Sequence, residues 1–375
     1  MTWGNPQSAL EKAIATSLWP VSAAYGLAAY ARLRAYGAGW LTQHTLPVPV
    51  LSVGNITCGG TGKTPVTVDL ARHLIAAGRR VAILSRGYKR RSTDEIVIVG
   101  DGRGRIAPAA DAGDEPHMMA QAVPEAVVIV GAARRVTGEI AVRVYDCDFV
   151  ILDDGFQHLS VIRDSDVVLI DYYDEPGNDR LIPAGRLREP LAALARADWL
   201  VISRLPERPD PEKLARLNEL ARNRAPQAGL TSCRFVPAAL CGLASSERLP
   251  TSSLSGARVF AVAGIARPQA FFRQLADLGA TVAGTRCFPD HHWYTPGDLL
   301  GLARQFKSCR ADIMVTTAKD AARLPAEFAS KLPVHILELE TKWLGPLPLP
   351  QLNLCDNNPS PEAGQAAKSC RAAGT

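Results

Sequence analysis

No stretch of this 375-residue chain runs uninterrupted through the ~18 apolar residues that a membrane-spanning helix requires. Nor does it open on a basic leader, a short apolar core and a small-residue cleavage site, so the chain is expected to stay on the cytoplasmic side of the membrane. Its eight cysteines form no C-x-x-C pair and no Cys/His cluster at metal-ligand spacing, which excludes a zinc module and reads as reduced thiols. Charge of one sign is also scarce. With 42 Lys and Arg against 37 Asp and Glu, the net charge of +5 excludes a polycationic nucleic-acid binder and leaves local basic patches suited to an anionic small ligand or a membrane surface. Neither nucleic acid nor an obligate protein partner is expected, and no internal repeat is visible.

What is present is the composition of a folded protein, with 47% hydrophobic and 21% charged residues. The length accommodates two cores of the usual ~100–200 residues. Residues 1–42 carry Trp19, Tyr25, Leu27, Tyr30, Tyr36 and Trp40 around Arg32 and Arg34, a pattern that suits either an amphipathic segment lying at a lipid interface or a helix packed on its own domain. From Pro47 onward, apolar runs at 48–53, 80–84, 126–130, 149–152, 166–170 and 199–202 alternate with helical stretches. Strands buried on both faces with helical crossovers predict a doubly wound, mostly parallel α/β sheet over residues 43–230. A proline- and arginine-rich connector at 205–237 leads into a smaller α/β domain at 231–350, and 351–375 reads as a disordered tail.

The first apolar run feeds directly into Thr57-Cys58-Gly59-Gly60-Thr61-Gly62-Lys63-Thr64 and then a helix. Glycines at this position let backbone amides wrap a phosphate at a helix N-terminus, Lys63 reaches the β- and γ-phosphates, and the Thr64 hydroxyl binds Mg²⁺. The fold class expected is therefore P-loop NTPase-like. One departure is visible, because the strict G-x-x-x-x-G-K-[ST] pattern has glycine where this chain has Thr57. A flexible glycine turn that binds nothing does not account for a Lys-Thr pair at a helix start. Downstream, the run Phe149–Leu152 ends in Asp153 and Asp154, as a Walker-B strand presents its carboxylates to Mg²⁺ beyond the strand's carboxyl end.

These segments, with Ser85-Arg86-Gly87-Tyr88, Gly113-Asp114-Glu115-Pro116, Asp153-Asp154-Gly155-Phe156-Gln157-His158 and Pro183-Ala184-Gly185-Arg186-Leu187-Arg188-Glu189, resemble the tetraacyldisaccharide 4'-kinase family across roughly residues 10–345. The resemblance implies ATP with Mg²⁺ as donor and the 4'-hydroxyl of a lipid A precursor disaccharide as acceptor. It places the reaction at the cytoplasmic face of a bacterial inner membrane. It further implies Asp114 as the group that accepts the hydroxyl proton, with His291 of Asp290-His291-His292 as its partner; His292 is an admissible substitute. Glu115 joins the metal-facing carboxylates. Arg86, Tyr88, Arg134 and Gln157 are the candidates to meet the acceptor, since guanidinium pairs with phosphate and an aromatic ring stacks on sugar. Taken singly, Asp114 reads as a helix start, His291 as a loop residue and the arginines as solvated charge.

Three competing readings remain. A GTPase needs an N-K-x-D or T-K-x-D element, and Thr316-Thr317-Ala318-Lys319-Asp320 is out of register for it. A membrane-associated ATP-binding switch without kinase activity fits the N-terminal segment and Thr57. A soluble small-molecule kinase fits if that segment is only structural.

Overall fold

The computed structural model describes residues 13, 15–88, 90–174, 180–245 and 247–349, so the tail expected at 351–375 lies outside the described residues. The strands are β1 (Val50–Asn55), β2 (Val81–Ser85), β3 (Ile96–Asp101), β4 (Val127–Gly131), β5 (Phe149–Asp153), β6 (Ser165–Asp171), β7 (Trp199–Ser203), β8 (Gly229–Gly242), β9 (Arg248–Pro250), β10 (Arg258–Ala263), β11 (Thr281–Cys287), β12 (Ile313–Thr316) and β13 (Val334–Trp343). The longer helices are α1 (Trp19–Gly37), α2 (Lys63–Ala76), α3 (Asp114–Ala122), α4 (Arg134–Arg143), α5 (Pro211–Arg224), α6 (Pro268–Asp277) and α7 (Pro296–Ser308).

One continuous sheet in the order β11-β10-β12-β13-β8-β7-β6-β1-β5-β2-β4-β3 runs through the molecule, with β9 paired to β8. In the first lobe β1 lies between β5 and β6, and β4, β2, β5, β1, β6 and β7 run parallel in succession, with β3 antiparallel to β4 at the edge. Every residue of β1, β2, β4, β5 and β6 is buried, as expected of strands covered on both faces. Because the central strands are parallel, the loops after β1, β2, β4 and β5 all emerge at one edge, where doubly wound sheets bind ligands.

α2 begins directly at Lys63 after left-handed Gly62, and Val66, Leu70 and Leu74 recur at helical spacing to bury a stripe on β1. Emptying that stripe, as in Leu70→Ala, costs roughly 2–5 kcal/mol. The helix stops at left-handed Gly78, whose neighbour Arg79 bonds back to the Leu74 carbonyl at 3.0 Å.

The connector read at 205–237 is only partly one. α5 occupies its middle, capped by Asp210, but residues 229–237 belong to β8. That strand pairs parallel with β7 through Ser232 and then antiparallel with β13 from Cys233 to Gly242. It crosses the expected division at 230/231, so both lobes share one strand. Pro237, which argues against a strand in sequence, sits beside the register shift opposite Glu338 and Leu339, where a missing N–H is tolerated. β13 also reaches back across the first lobe, with Trp343 donating to Asp69 of α2 at 2.6 Å. No helix among the described residues is long and apolar enough to cross a membrane.

Candidate active site

The glycine loop 56–62 is built so that its carbonyls are taken up from outside. Arg186 donates to the Cys58 carbonyl at 2.9 Å, Arg204 to that of Gly60 at 3.1 Å and Ser203 to that of Thr61 at 2.7 Å. Thr57, where the strict motif has glycine, forms an isolated bridge with Leu187 and shares its carbonyl with the Asn55 side chain at 2.8 Å. The Cys58 amide is itself given to the Arg186 carbonyl at 2.7 Å, so the amides of residues 59–62 and the N-terminus of α2 are the groups an anion meets. Gly59 and Gly62 adopt φ of +122° and +84°, a region costly for residues with a Cβ.

Lys63 bridges Asn55 Oδ1 at 3.1 Å and Asp154 Oδ1 at 3.3 Å. The first of these contacts returns the lysine to the strand from which the loop sprang. Asp154 has φ of +52°, and Arg188 Nη1 reaches both its oxygens, at 3.0 and 2.8 Å. Burial raises the Asp154 carboxyl, but the charges of Lys63 and Arg188 outweigh it and hold the group below its ordinary range.

Asp153 has the opposite fate. Burial first, then the charges of Glu115 and Asp154, push its carboxyl up to about 7. Its Oδ2 accepts from Ser85 at 3.0 Å, whereas its buried Oδ1 has no protein partner. Gln157 donates to the Asn55 carbonyl at 3.0 Å and also keeps a buried, unpartnered Oε1. Arg134 is 3% exposed and bonded to the Gly131 carbonyl, with its Nε unpartnered and its basicity lowered by burial to about 10. Unpartnered buried polar atoms at this edge fit a site completed by a hydrated cation and phosphate oxygens. Among the described residues no three His, Cys, Asp or Glu stand together as a metal cage.

Asp114 opens α3 and is 5% exposed, and its Oδ2 lies 2.9 Å from Nδ1 of His291, 177 residues away in the second lobe. Burial raises the Asp114 carboxyl, yet the His291 hydrogen bond and the charges of Lys319, His291 and Arg323 prevail and hold it ionised. His291 itself has φ of +66°, a strained backbone that the surroundings must impose. His292, the alternative left open by sequence, is engaged elsewhere. Its Nε2 lies 3.0 Å from Asp298 and its ring stacks on Phe288 at 4.8 Å.

Of the residues expected to meet the acceptor, Tyr88 is 66% exposed with its ring edge-on to His291 at 6.1 Å, and Arg86 is exposed beside it. Glu115 lies 3.5 Å from Lys319, while its charge still reaches Asp153. Thus the glycine loop, the two aspartates, Asp114 and the second-lobe histidine gather at one edge of the sheet. Three residues without an assigned role in the sequence belong there as well: Arg188, visible only as part of a motif, and Lys319 and Arg323, spaced i,i+4 in the 316–323 segment.

A profile of the tetraacyldisaccharide-1-P 4'-kinase family matches residues 14–349. The tetraacyldisaccharide 4'-kinase of Anaeromyxobacter sp. (strain K) is 42% identical over 308 residues, covering 82% of this chain and 81% of its own. That of Geobacter sulfurreducens is 40% identical over 328 residues, covering 88% and 89%. LpxK from Aquifex aeolicus, crystallised in complex with ATP, superposes with a TM-score of 0.70 at 32% identity over 88% of this chain and 95% of its own. By sequence along nearly its whole described length and by fold, the chain belongs to the tetraacyldisaccharide 4'-kinase family.

Proposed function

We propose that this protein transfers the γ-phosphoryl group of ATP to the 4'-hydroxyl of a tetraacylated glucosamine disaccharide 1-phosphate, giving the bisphosphorylated lipid. The single observation that carries the reading is the Asp114–His291 pair at 2.9 Å, closing over the same sheet edge as the glycine loop. Phosphoryl transfer asks the protein mainly for positioning and charge, together with a carboxylate that orients and deprotonates the attacking hydroxyl. An ionised Asp114, oriented by His291, meets that demand.

In this reading the amides of residues 59–62 and Lys63 hold the triphosphate, with Thr57 and Cys58 tied to the Arg186–Leu187 segment as the base of the loop. Thr64, Asp153 and Asp154 hold Mg²⁺, with Glu115 at its border, and the cation supplies charge neutralisation for the leaving diphosphate. Lys63 leaves Asp154 to serve the phosphates, and Arg188 keeps that carboxylate oriented when it does. Arg86, Tyr88, Arg134 and Gln157 form the wall that the sugar phosphate approaches.

The same reading makes the protein peripheral on the cytoplasmic face of the inner membrane. α1 is pinned to the site's own loops by Ser22 on the Leu181 carbonyl (2.8 Å), Tyr25 on that of Arg188 (2.8 Å) and Arg32 on that of Gln157 (3.1 Å). Several of its large apolar residues are open to solvent: Trp19, Val21, Leu27, Tyr30 and the following Trp40 are all more than half exposed, which suits a lipid interface beside the site.

The test is direct. Purified protein with ATP, Mg²⁺ and the disaccharide monophosphate lipid in detergent should yield the bisphosphorylated lipid. ATP binding without turnover would instead leave the nucleotide-dependent switch. Replacing Trp19, Leu27 and Trp40 by serine should reduce sedimentation with anionic vesicles while leaving ATP affinity intact, and unchanged sedimentation would return α1 to a purely structural role.

A further inference from the structure

We propose that Lys319 is a positioning residue for phosphoryl transfer, reaching from the second lobe to fix His291 as the tautomer whose Nδ1 proton points at Asp114. The inference rests on the reading of Asp114 as the base and adds to it the group that orients the base's partner.

Lys319 Nζ stands 3.1 Å from His291 Nε2, while His291 Nδ1 stands 2.9 Å from Asp114 Oδ2. An ammonium has protons to donate and no lone pair to accept with. A contact of this length is a hydrogen bond only if Nε2 carries the lone pair, and in a neutral imidazole the proton then resides on Nδ1. With the proton on Nε2 instead, two N–H groups would confront each other and Nδ1 would turn its lone pair on a carboxylate. The Lys319 ammonium thus excludes the tautomer that would repel Asp114.

The lysine is itself held in place. It sits in the single turn Ala318–Ala321, capped by Thr317, beside fully buried Asp320, which accepts from Arg323 at 2.8 Å and from the Gly264 amide at 3.0 Å. Two carboxylates from opposite lobes flank its Nζ, Glu115 at 3.5 Å and Asp290 at 3.3 Å. The other charged or titratable groups facing the pair are Arg323, 3.9 Å from Asp114, Tyr88, edge-on to the imidazole, and Asp290 again, whose Oδ2 lies 3.8 Å from His291 Nε2, beyond hydrogen-bond length and farther than the lysine. A left-handed backbone at His291 adds independent support, because such a conformation persists only where several contacts determine the residue's direction. By spacing alone the 316–320 segment is only an out-of-register guanine-reading element; its place in the fold gives Lys319 a different task.

The test reads the tautomer and turnover separately. Full-length protein carrying ¹⁵N-histidine is compared with Lys319→Met, Lys319→Ala and Lys319→Gln by long-range ¹H–¹⁵N correlation, with His291→Gln assigning the signal. Native His291 should show Nδ1 protonated and Nε2 unprotonated. Lys319→Met and Lys319→Ala should lose that pattern and lower kcat roughly 10- to 100-fold, the scale of one charge-assisted hydrogen bond, with the KM for ATP nearly unchanged. Lys319→Gln, which keeps an N–H to offer, should retain the tautomer and lose less. Using two truncations and one polar variant guards against one that does not fold. An unchanged His291 pattern in a folded truncation, or turnover within about twofold of native, overturns the proposal. Asp114→Ala separates the two levels. If that variant turns over normally the base assignment fails, while the nitrogen signals still decide whether Lys319 sets the ring.

Discussion

Arg188 holds both carboxylate oxygens of Asp154 through one guanidinium nitrogen, at 3.0 and 2.8 Å, while Lys63 approaches the same carboxylate at 3.3 Å. Two cations on one aspartate make a resting arrangement in which the phosphate-binding lysine is already occupied. In the proposed mode of binding ATP would compete for Lys63, and Arg188 would be left as the counter-charge that keeps Asp154 ionised and aimed. Arg188→Met should therefore bind ATP more weakly, because Lys63 then becomes the sole counter-charge of Asp154. A charge-assisted hydrogen bond is worth about 1.5–3 kcal/mol, or roughly 10- to 150-fold in affinity. Titration with a fluorescent ATP analogue reads this, and an unchanged Kd would mean that Lys63 does not depend on its neighbour.

Asp114 makes the sharpest kinetic prediction. Replacing it with alanine removes the proposed base without touching the glycine loop, so kcat should fall by ~10²–10⁴ while ATP affinity stays near native. Equal losses in binding and rate would indicate collapse of the lobes onto each other instead. Single-turnover assays beside nucleotide titration distinguish the outcomes.

The contrast between these two sites shows what the sequence could carry. The glycine loop was legible because its parts are contiguous: buried strand, glycines, lysine and helix start follow within about a dozen residues, and each demands its neighbour on physical grounds. Asp153 and Asp154 were legible for the same reason. Asp114 and His291 meet across 177 positions, and no periodicity or spacing joins them; only the family motifs did. Lys319 belongs to no site that sequence spacing reveals, because a lysine before an aspartate reads as surface charge until β12 and β13 bring its turn onto α3. In the fold, the parallel strands announce themselves as apolar runs, whereas β3 does not: it is an antiparallel edge strand with a register shift before Gly100, and four of its residues are only half-buried. β8 was hidden by Arg234 and Pro237, which its change of partner and register shift accommodate.

Gly62 and Phe235 offer a test of how tightly the lobes grip the loop. A Cβ at Gly62 would lie 2.4 Å from Cε2 and 2.5 Å from Cζ of Phe235, and Gly62 has φ of +84°. Gly62→Ala thus suffers twice, from the left-handed backbone, ~1–2 kcal/mol, and from the ring. Adding Phe235→Ala should relieve the collision but not the backbone cost, so the double variant should recover part of the lost stability. Denaturant unfolding of the four proteins in a cycle checks this, and strict additivity would show that the ring moves aside without cost.

As a proposed metal ligand, Asp153 would link pH to metal binding. With its carboxyl pushed up to about 7, first by burial and then by Glu115 and Asp154, it retains a proton near neutrality in the metal-free protein. In the unfolded chain the same group ionises near 3.8. The folded state therefore binds the extra proton between these values. Its contribution to stability is fully present below the lower value and is lost as pH rises through the upper one. A cation that takes Asp153 as a ligand must displace this proton, so Mg²⁺ affinity of the nucleotide-loaded enzyme should climb with pH below about 7 and level off above it, with about one proton released per metal at the acidic end. Magnesium titrations between about pH 5.5 and 8, with calorimetry in two buffers of different ionisation enthalpy, measure both quantities. Asp153→Asn has no proton to give up and should bind Mg²⁺ more weakly, without that slope. If the native enzyme is equally flat, Asp153 is not a metal ligand, and its unpartnered Oδ1 must serve water or phosphate instead.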